Sequence, residues 1–287
     1  MSSSIFAENL LAGQVVLLSG GGSGIGRAAA IELTALGADV VICGRELEPL
    51  RETADLCLAT GGAGSCSSFV CDIREADQVG DLVDATLELH GKIDVLVNNA
   101  GGQFLAPAED ISEKGFATVI RLNIHGTWLM THTVAMRAMI PEELGDNRGG
   151  KVINITLSPH NGLPGMVHSS TARAGVENMT KALSIEWARF GIQLNALAIG
   201  QIATETLLTK YPEVVVENLS RSVPIGRLGR AEEIAWAIAY LASPAGDFYS
   251  GSILTIDGAR DNWLGLWPPP ELINDSGAPV AEERKSR

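Results

Sequence analysis

Ser19-Gly20-Gly21-Gly22-Ser23-Gly24-Ile25-Gly26 separates an apolar run, Val15-Val16-Leu17-Leu18, from a stretch of helical character that extends to Leu36. A glycine turn between a strand and a helix lets the backbone approach a pyrophosphate closely. The helix N-terminus adds unpaired N–H groups and positive potential. The spacing here is G-x-x-x-G-x-G, not the G-x-G-x-x-G of the general dinucleotide fingerprint. Its place between strand and helix, more than the glycines alone, makes it a candidate phosphate cradle.

Outward from this turn the same alternation continues. Strands are expected at 40–43, 67–71, 95–97, 152–155, 194–197 and 253–256, and helices at 46–59, 75–90, 172–190 and 231–242. A long helical segment fills the interval between the fourth and fifth strands, and a helix from Glu205 to Ser220 is expected over the cleft. Strands that are apolar without polar alternation are buried on both faces. Their alternation with helices gives an α/β fold: a single Rossmann-like domain, residues 11–260, with a doubly wound parallel sheet and helices on both faces. Residues 1–10 read as an N-terminal extension and 261–287 as a C-terminal tail. In that tail Trp263 and Trp267 precede Pro268-Pro269-Pro270, and they are expected to cover a subunit interface or the cleft rim.

The chain of 287 residues carries a formal charge of −13. Like-charge repulsion therefore argues against nucleic acid or an anionic membrane as a partner. Four cysteines, Cys43, Cys57, Cys66 and Cys71, form no C-x-x-C, so they read as reduced thiols and not as metal ligands. No basic segment followed by an apolar one marks a signal peptide, and no apolar run approaches the ~20 residues of a membrane span. A cytoplasmic protein is expected.

Further motifs follow the glycine turn in order: Asp72-Ile73, Asn98-Asn99-Ala100-Gly101, Asn123 in Asn123-Ile124-His125-Gly126, the segment Ala198 to Thr204, and Asp257-Gly258. Together they resemble the motif series of the short-chain dehydrogenase/reductase family over about residues 11 to 260, with Ser19 at that family's threonine and Ile199 at its proline. The resemblance implies a nicotinamide dinucleotide with Ser19, Gly20, Ser23, Gly24, Ile25 and Gly26 around its phosphates. It places Asp72 and Ile73 by the adenine, and Asn99, Ala100, Gly101, Gly200, Ile202 and Thr204 along the rest of the cofactor. It also implies a homodimer or homotetramer. Ala174, Val176, Met179, Leu183 and Trp187 fit such an interface or an internal core equally well.

The end of the second strand carries Gly44-Arg45. An acid there would bond the ribose 2′-hydroxyl of NAD, whereas the fork of N–H donors on arginine suits a 2′-phosphate. NADP(H) is the expected cofactor; the alternative is NAD(H), with Glu46 on its ribose.

The family's carbonyl chemistry uses serine, tyrosine and lysine beside the asparagine. Aligning Asn154-Ile155-Thr156-Leu157 with its serine motif puts Leu157 at the serine, for which Thr156 or Ser158 could stand in. Y-x-x-x-K then falls on Ser169-Ser170-Thr171-Ala172-Arg173, and the three tyrosines, Tyr211, Tyr240 and Tyr249, lie elsewhere. A serine hydroxyl is a far weaker acid than a phenol, whose pKa starts at about 10. Arg173 cannot act as a base but can bond ribose hydroxyls. One turn on, Glu177 and Lys181 read as an i,i+4 salt bridge.

His168-Ser169-Ser170-Thr171-Ala172-Arg173-Ala174-Gly175-Val176 and Gly101-Gly102-Gln103-Phe104-Leu105 resemble stretches of peroxisomal trans-2-enoyl-CoA and 2,4-dienoyl-CoA reductases. Both are also similar to bacterial citronellol dehydrogenase-like proteins. The resemblance implies reduction of a C=C bond conjugated to an acyl thioester. Asn123 would order the site, Arg173 would hold the ribose, and Ser169 or a backbone N–H would bond the thioester oxygen, with Ser158 as the stand-in serine. The α-carbon proton can come from water or a weak acid, which lowers the demand for a tuned phenol. His168, His160 and His125 are further candidates, although a loop histidine is more often a packed or solvated group. Two other readings compete: oxidoreduction of an apolar alcohol or ketone through a rearranged proton relay, and an NADP(H)-binding protein without turnover.

Overall fold

A computed structural model describes residues 3–141, 149–158, 160–210 and 212–263. Its sheet holds seven strands, β1 Val15–Ser19, β2 Asp39–Gly44, β3 Cys66–Val70, β4 Val95–Asn98, β5 Gly150–Leu157, β6 Ile192–Ile199 and β7 Ile253–Ile256, in the order β3-β2-β1-β4-β5-β6-β7. Every pairing is parallel. The order reverses between β1 and β4, and such a switch point opens a crevice beyond the carboxyl ends of the strands.

The strands are apolar because helices cover both faces. Val16 and Leu18 enter a layer with Leu33 and Leu36 from α1 (Gly24–Ala35) and its end, and with Ile234 and Ile238 of α9 (Ala231–Ala242). Leu17, between them, enters the opposite layer. There it joins Val83 of α3 (Ala76–His90), Val134 of α5 (Gly126–Val134) and Leu183 of α6 (Val167–Glu186). Helix α2 (Leu47–Ala59) packs against β3 and α1.

Several boundaries differ from expectation for physical reasons. The interval between β4 and β5 holds α4 (Glu113–Ile120), which passes through a π turn, Arg121–His125, into α5. Helix α6 begins at Val167, five residues before the expected start, so His168 and Ser169 belong to its first turn and not to a loop. The expected helix from Glu205 to Ser220 is two helices, α7 (Glu205–Lys210) and α8 (Glu213–Arg221). Pro212 takes the N-cap of α8, since its ring has no N–H to continue a helix and disfavours helical geometry in the residue before it. Val176, Leu183 and Trp187 are buried in the chain's own core, while Ala174 is exposed. Trp263 closes the described chain; Trp267 and the prolines lie outside the described residues. Among the described residues no helix is long and apolar enough to cross a membrane.

Candidate active site

At the switch point a cleft of about 430 Å³ opens beyond the ends of β1 and β4. Gly20, Ser23, Gly24, Ile25, Arg45, Asp72, Ile73, Asn99, Ala100, Gly101 and Thr204 line it together. Ser19 and Gly26 support it from behind. The buried Ser19 Oγ accepts hydrogen bonds from the N–H groups of Asn99 at 3.2 Å and Ala100 at 3.1 Å, which fastens the turn after β4 to the end of β1. Asn99 Nδ2 donates back to the Ser19 and Gly20 carbonyls, both at 3.1 Å. Gly20 has φ +72°, and a Cβ on Gly26 would sit 2.1 Å from the Gly20 carbonyl oxygen. Only glycine fits either place. Gly200 packs against Asp257, and Ile202 is buried at a bridge to Gly229.

These features suit a dinucleotide. Ser23 caps α1 without a side-chain hydrogen bond, which leaves the first N–H groups of the helix available to phosphate oxygens. Two arginines stand at the adenine end. Arg74 pairs with Asp72 and holds its carboxyl below the usual carboxylate range. Arg45 is exposed and ion-pairs with no carboxylate among the described residues. Arg74 is paired, whereas Arg45 forms no ion pair among the described residues and only adds to the field that lowers Asp72.

At the opposite end of the cleft the π turn aims Asn123 inward. Its Nδ2 donates to the carbonyls of Gly102 and Val119, both at 2.8 Å, and its Oδ1 accepts from the Gly102 N–H at 3.2 Å. A π turn frees backbone groups that side chains then claim, and such turns are frequent at functional sites. Arg173 Nη1 donates to the Ile155 carbonyl at 2.7 Å. A Cβ on Gly101 would lie 2.1 Å from Arg173 Nη2 and 2.7 Å from Asn123 Oδ1, so the three residues converge. Burial pushes the Arg173 pKa down to about 10, which leaves it charged at neutral pH. No carboxylate among the described residues pairs with it. A half-buried cation without a paired carboxylate retains N–H donors for ribose hydroxyls.

The buried Ser169 hydroxyl donates to Gln103 Oε1 at 2.8 Å, beside the same loop. His168 is fully buried; its Nδ1 accepts the Ser169 N–H at 2.9 Å, and its ring stands edge-on to Phe104. His125 is exposed on the π turn. Ser158 is turned elsewhere, with its hydroxyl donating to Asp257 at the end of β7. Tyr240 on α9 and Tyr249 before β7 pack edge to face, away from the cleft lining, and Tyr211 lies outside the described residues.

The expected Glu177–Lys181 salt bridge does not form. Lys181 is exposed, whereas Glu177 is buried and held by other partners. Its Oε1 accepts from Thr156 Oγ1 at 2.8 Å and meets His160 Nε2 at 3.2 Å. His160 Nδ1 lies 2.5 Å from Asp261 Oδ2, and its backbone N–H donates to Asp261 Oδ1 at 2.6 Å. Glu177 was legible in principle, because Ser169, Arg173 and Glu177 recur every four residues on one helix face. Nothing in the sequence pointed to Asp261.

Comparison with known proteins identifies the family. Residues 20–259 match a family model described as enoyl-(acyl carrier protein) reductase. A peroxisomal 2,4-dienoyl-CoA reductase of Rattus norvegicus is 34% identical over 91% of this chain and 88% of its own length. One of Arabidopsis thaliana is 33% identical over 91% and 87%. The solved structure of a citronellol catabolism dehydrogenase of Pseudomonas aeruginosa is 41% identical, superposes with TM-score 0.78, and is matched over 90% of this chain and 99% of that one. With the motifs in register on a seven-stranded parallel sheet, the chain belongs to the short-chain dehydrogenase/reductase family of oxidoreductases.

Proposed function

We propose that the protein is an NADPH-dependent reductase of C=C bonds conjugated to an acyl thioester, 2,4-dienoyl thioesters included. The observation that carries this reading is the row Ser169, Arg173, Glu177 on α6. It lines up a hydroxyl, a cation and a carboxylate along one face of the helix against β5, starting at the position the resemblance gives to the family's tyrosine. The relatives named 2,4-dienoyl-CoA reductases support it.

When bound, the reduced nicotinamide supplies a hydride. Arg173 and Thr204 would hold its ribose end, and Asn123 keeps the Gly101–Gly102 backbone in place. Negative charge then develops on the thioester oxygen, where the Ser169 hydroxyl and the Arg173 charge stabilise it. The α-carbon needs one proton, and Glu177, directly or through one water, is the group that delivers it. Glu177→Gln keeps the shape and loses the proton; kcat is expected to fall about a hundredfold with KM little changed. Unchanged kcat would remove Glu177 from the chemistry.

The unspent charge of Arg45 favours NADPH, since the 2′-phosphate needs a cation that no carboxylate has claimed. Arg45→Ala is expected to lower kcat/KM for NADPH about thirtyfold, roughly 2 kcal/mol, and to leave NADH kinetics unaltered. An equal loss with both cofactors would contradict the assignment. Cys43, Cys57, Cys66 and Cys71 are free thiols, which fits a reducing, cytoplasmic setting. Steady-state NADPH oxidation across enoyl and dienoyl thioesters, ketones and alcohols tests the reading as a whole; turnover confined to ketones or alcohols would overturn it.

A further inference from the structure

His160 sits in the turn after β5, Glu177 on α6, and Asp261 on a short 3-10 helix, Arg260–Asn262, beyond β7. Three separate elements thus bring a carboxylate, an imidazole and a carboxylate into one line. Asp261 accepts from both the backbone N–H and the ring Nδ1 of His160, so Nδ1 carries a hydrogen. The Nε2–Oε1 contact with Glu177 then needs a proton of its own, because a bare nitrogen lone pair facing a carboxylate would be repelled. That proton sits either on the imidazole or on the carboxyl. Thr156 Oγ1 fixes Glu177 Oε1 from the other side, while Oε2 has no hydrogen-bond partner among the described residues.

We propose that His160 is a positioning residue, clamped by Asp261, that holds a proton against Glu177 and sets the pH range over which the site can protonate its substrate. The inference rests on Glu177 as the proton source. In one turnover, hydride adds to the far carbon of the conjugated system and its π electrons move onto the thioester oxygen. As the carbonyl re-forms, the α-carbon takes the Glu177 proton and a C–H bond closes. His160 returns a proton to the carboxylate and recovers one from solvent.

The charges around His160 agree with this task. Glu177 faces it from α6 and Asp261 from the 3-10 helix. Asp257, at the end of β7, stands behind Asp261 and accepts its N–H at 2.6 Å together with the Ser158 hydroxyl. No lysine or arginine pairs with these three carboxylates among the described residues. Burial lowers the His160 pKa, but the hydrogen bond to Asp261 and the charges of Glu177 and Asp261 outweigh it, and the net shift is upward. A group with a raised pKa keeps its proton to higher pH and loses it as pH rises through that value. Reduction consumes one proton per turnover, so kcat falls on the alkaline side as His160 loses its proton.

The test uses the full chain with NADPH and a 2,4-dienoyl thioester. Asp261→Asn keeps the size of the clamp and removes its charge. The alkaline limb of kcat is expected to move down by about one pH unit, with KM within about twofold of wild type. His160→Gln is expected to lower kcat at neutral pH about tenfold. Because either change can loosen the turn, the His160 ring is also titrated by NMR in the cofactor-free protein, with His160→Gln assigning its signal. It is expected to titrate above 6.5, its unperturbed value, and about one unit lower in Asp261→Asn. A wild-type His160 that titrates at or below that value overturns the inference. So does an Asp261→Asn variant with both limb and titration unmoved while Glu177→Gln is impaired. Wild-type kcat in Glu177→Gln would instead overturn the reading beneath it, and this inference with it.

Discussion

Arg173→Ala is expected to lower kcat/KM for the reduction about a thousandfold, the largest effect of any single side-chain truncation in the site. The guanidinium joins three things: the Ile155 carbonyl at the end of β5, the Gly101 backbone under the cofactor cleft, and Asn123. It is also a half-buried cation without a paired carboxylate, so its charge is available to ribose hydroxyls and to the thioester oxygen as that oxygen becomes negative. Removing one preorganised donor from such a site costs about 3–4 kcal/mol, and each 1.4 kcal/mol is a factor of ten. Arg173→Lys keeps the charge and loses the fork, and is expected to recover most of the activity. Steady-state kinetics with a fluorescence measurement of NADPH affinity separates the ribose contribution from the oxygen contribution. A loss under tenfold in Arg173→Ala would show that the charge is not used.

Gly26→Ala is expected to weaken NADPH binding by about two orders of magnitude and to destabilise the fold by about 2 kcal/mol. The added Cβ would lie 2.1 Å from the Gly20 oxygen and 2.6 Å from Asn99 Nδ2. Both neighbours are fixed: Gly20 is held at φ +72°, and Asn99 Nδ2 is bound to the Ser19 and Gly20 carbonyls. The first turn of α1 must therefore shift, at the 1–3 kcal/mol typical of overpacking, and the phosphate cradle opens with it. Ser23→Ala is the matched control for stability. Its hydroxyl caps no N–H of α1, so thermal unfolding should stay at the wild-type Tm. Calorimetric NADPH binding and thermal melts of both variants check this; a Gly26→Ala variant with wild-type affinity would contradict the cradle.

Much of this architecture was legible from one sequence, because buried parallel strands are unbroken apolar runs and strand-to-helix turns need glycine. The turn at Ser19–Gly26 placed β1, α1 and the cleft at once. Local rules gave out where tertiary contacts decide the geometry. The π turn that carries Asn123 has no sequence period of its own, and the carbonyls of Gly102 and Val119 hold the asparagine side chain there. The single helix expected from Glu205 to Ser220 takes no account of Pro212, whose ring divides it. Glu177 read as a surface partner of Lys181, since i,i+4 spacing is the usual sign of a helix salt bridge. Only packing against β5 shows that the carboxylate faces inward to Thr156. Ser158 was a reasonable serine by position, yet Asp257, ninety-nine residues away, captures its hydroxyl. Such pairings are made by topology and leave no local trace.

The central claim is that a site whose α6 carries Ser169 and Arg173 in place of the family's tyrosine and lysine reduces a conjugated C=C bond and leaves the thioester carbonyl intact. Its most direct test is isotope placement: NADPH deuterated at the transferred position, a 2,4-dienoyl thioester as substrate, ordinary water, and product analysis by NMR. Deuterium is expected on the far carbon of the conjugated system, with a solvent hydrogen on the α-carbon and the thioester unchanged. Deuterium on a carbinol carbon, or no transfer to any conjugated thioester, would contradict it.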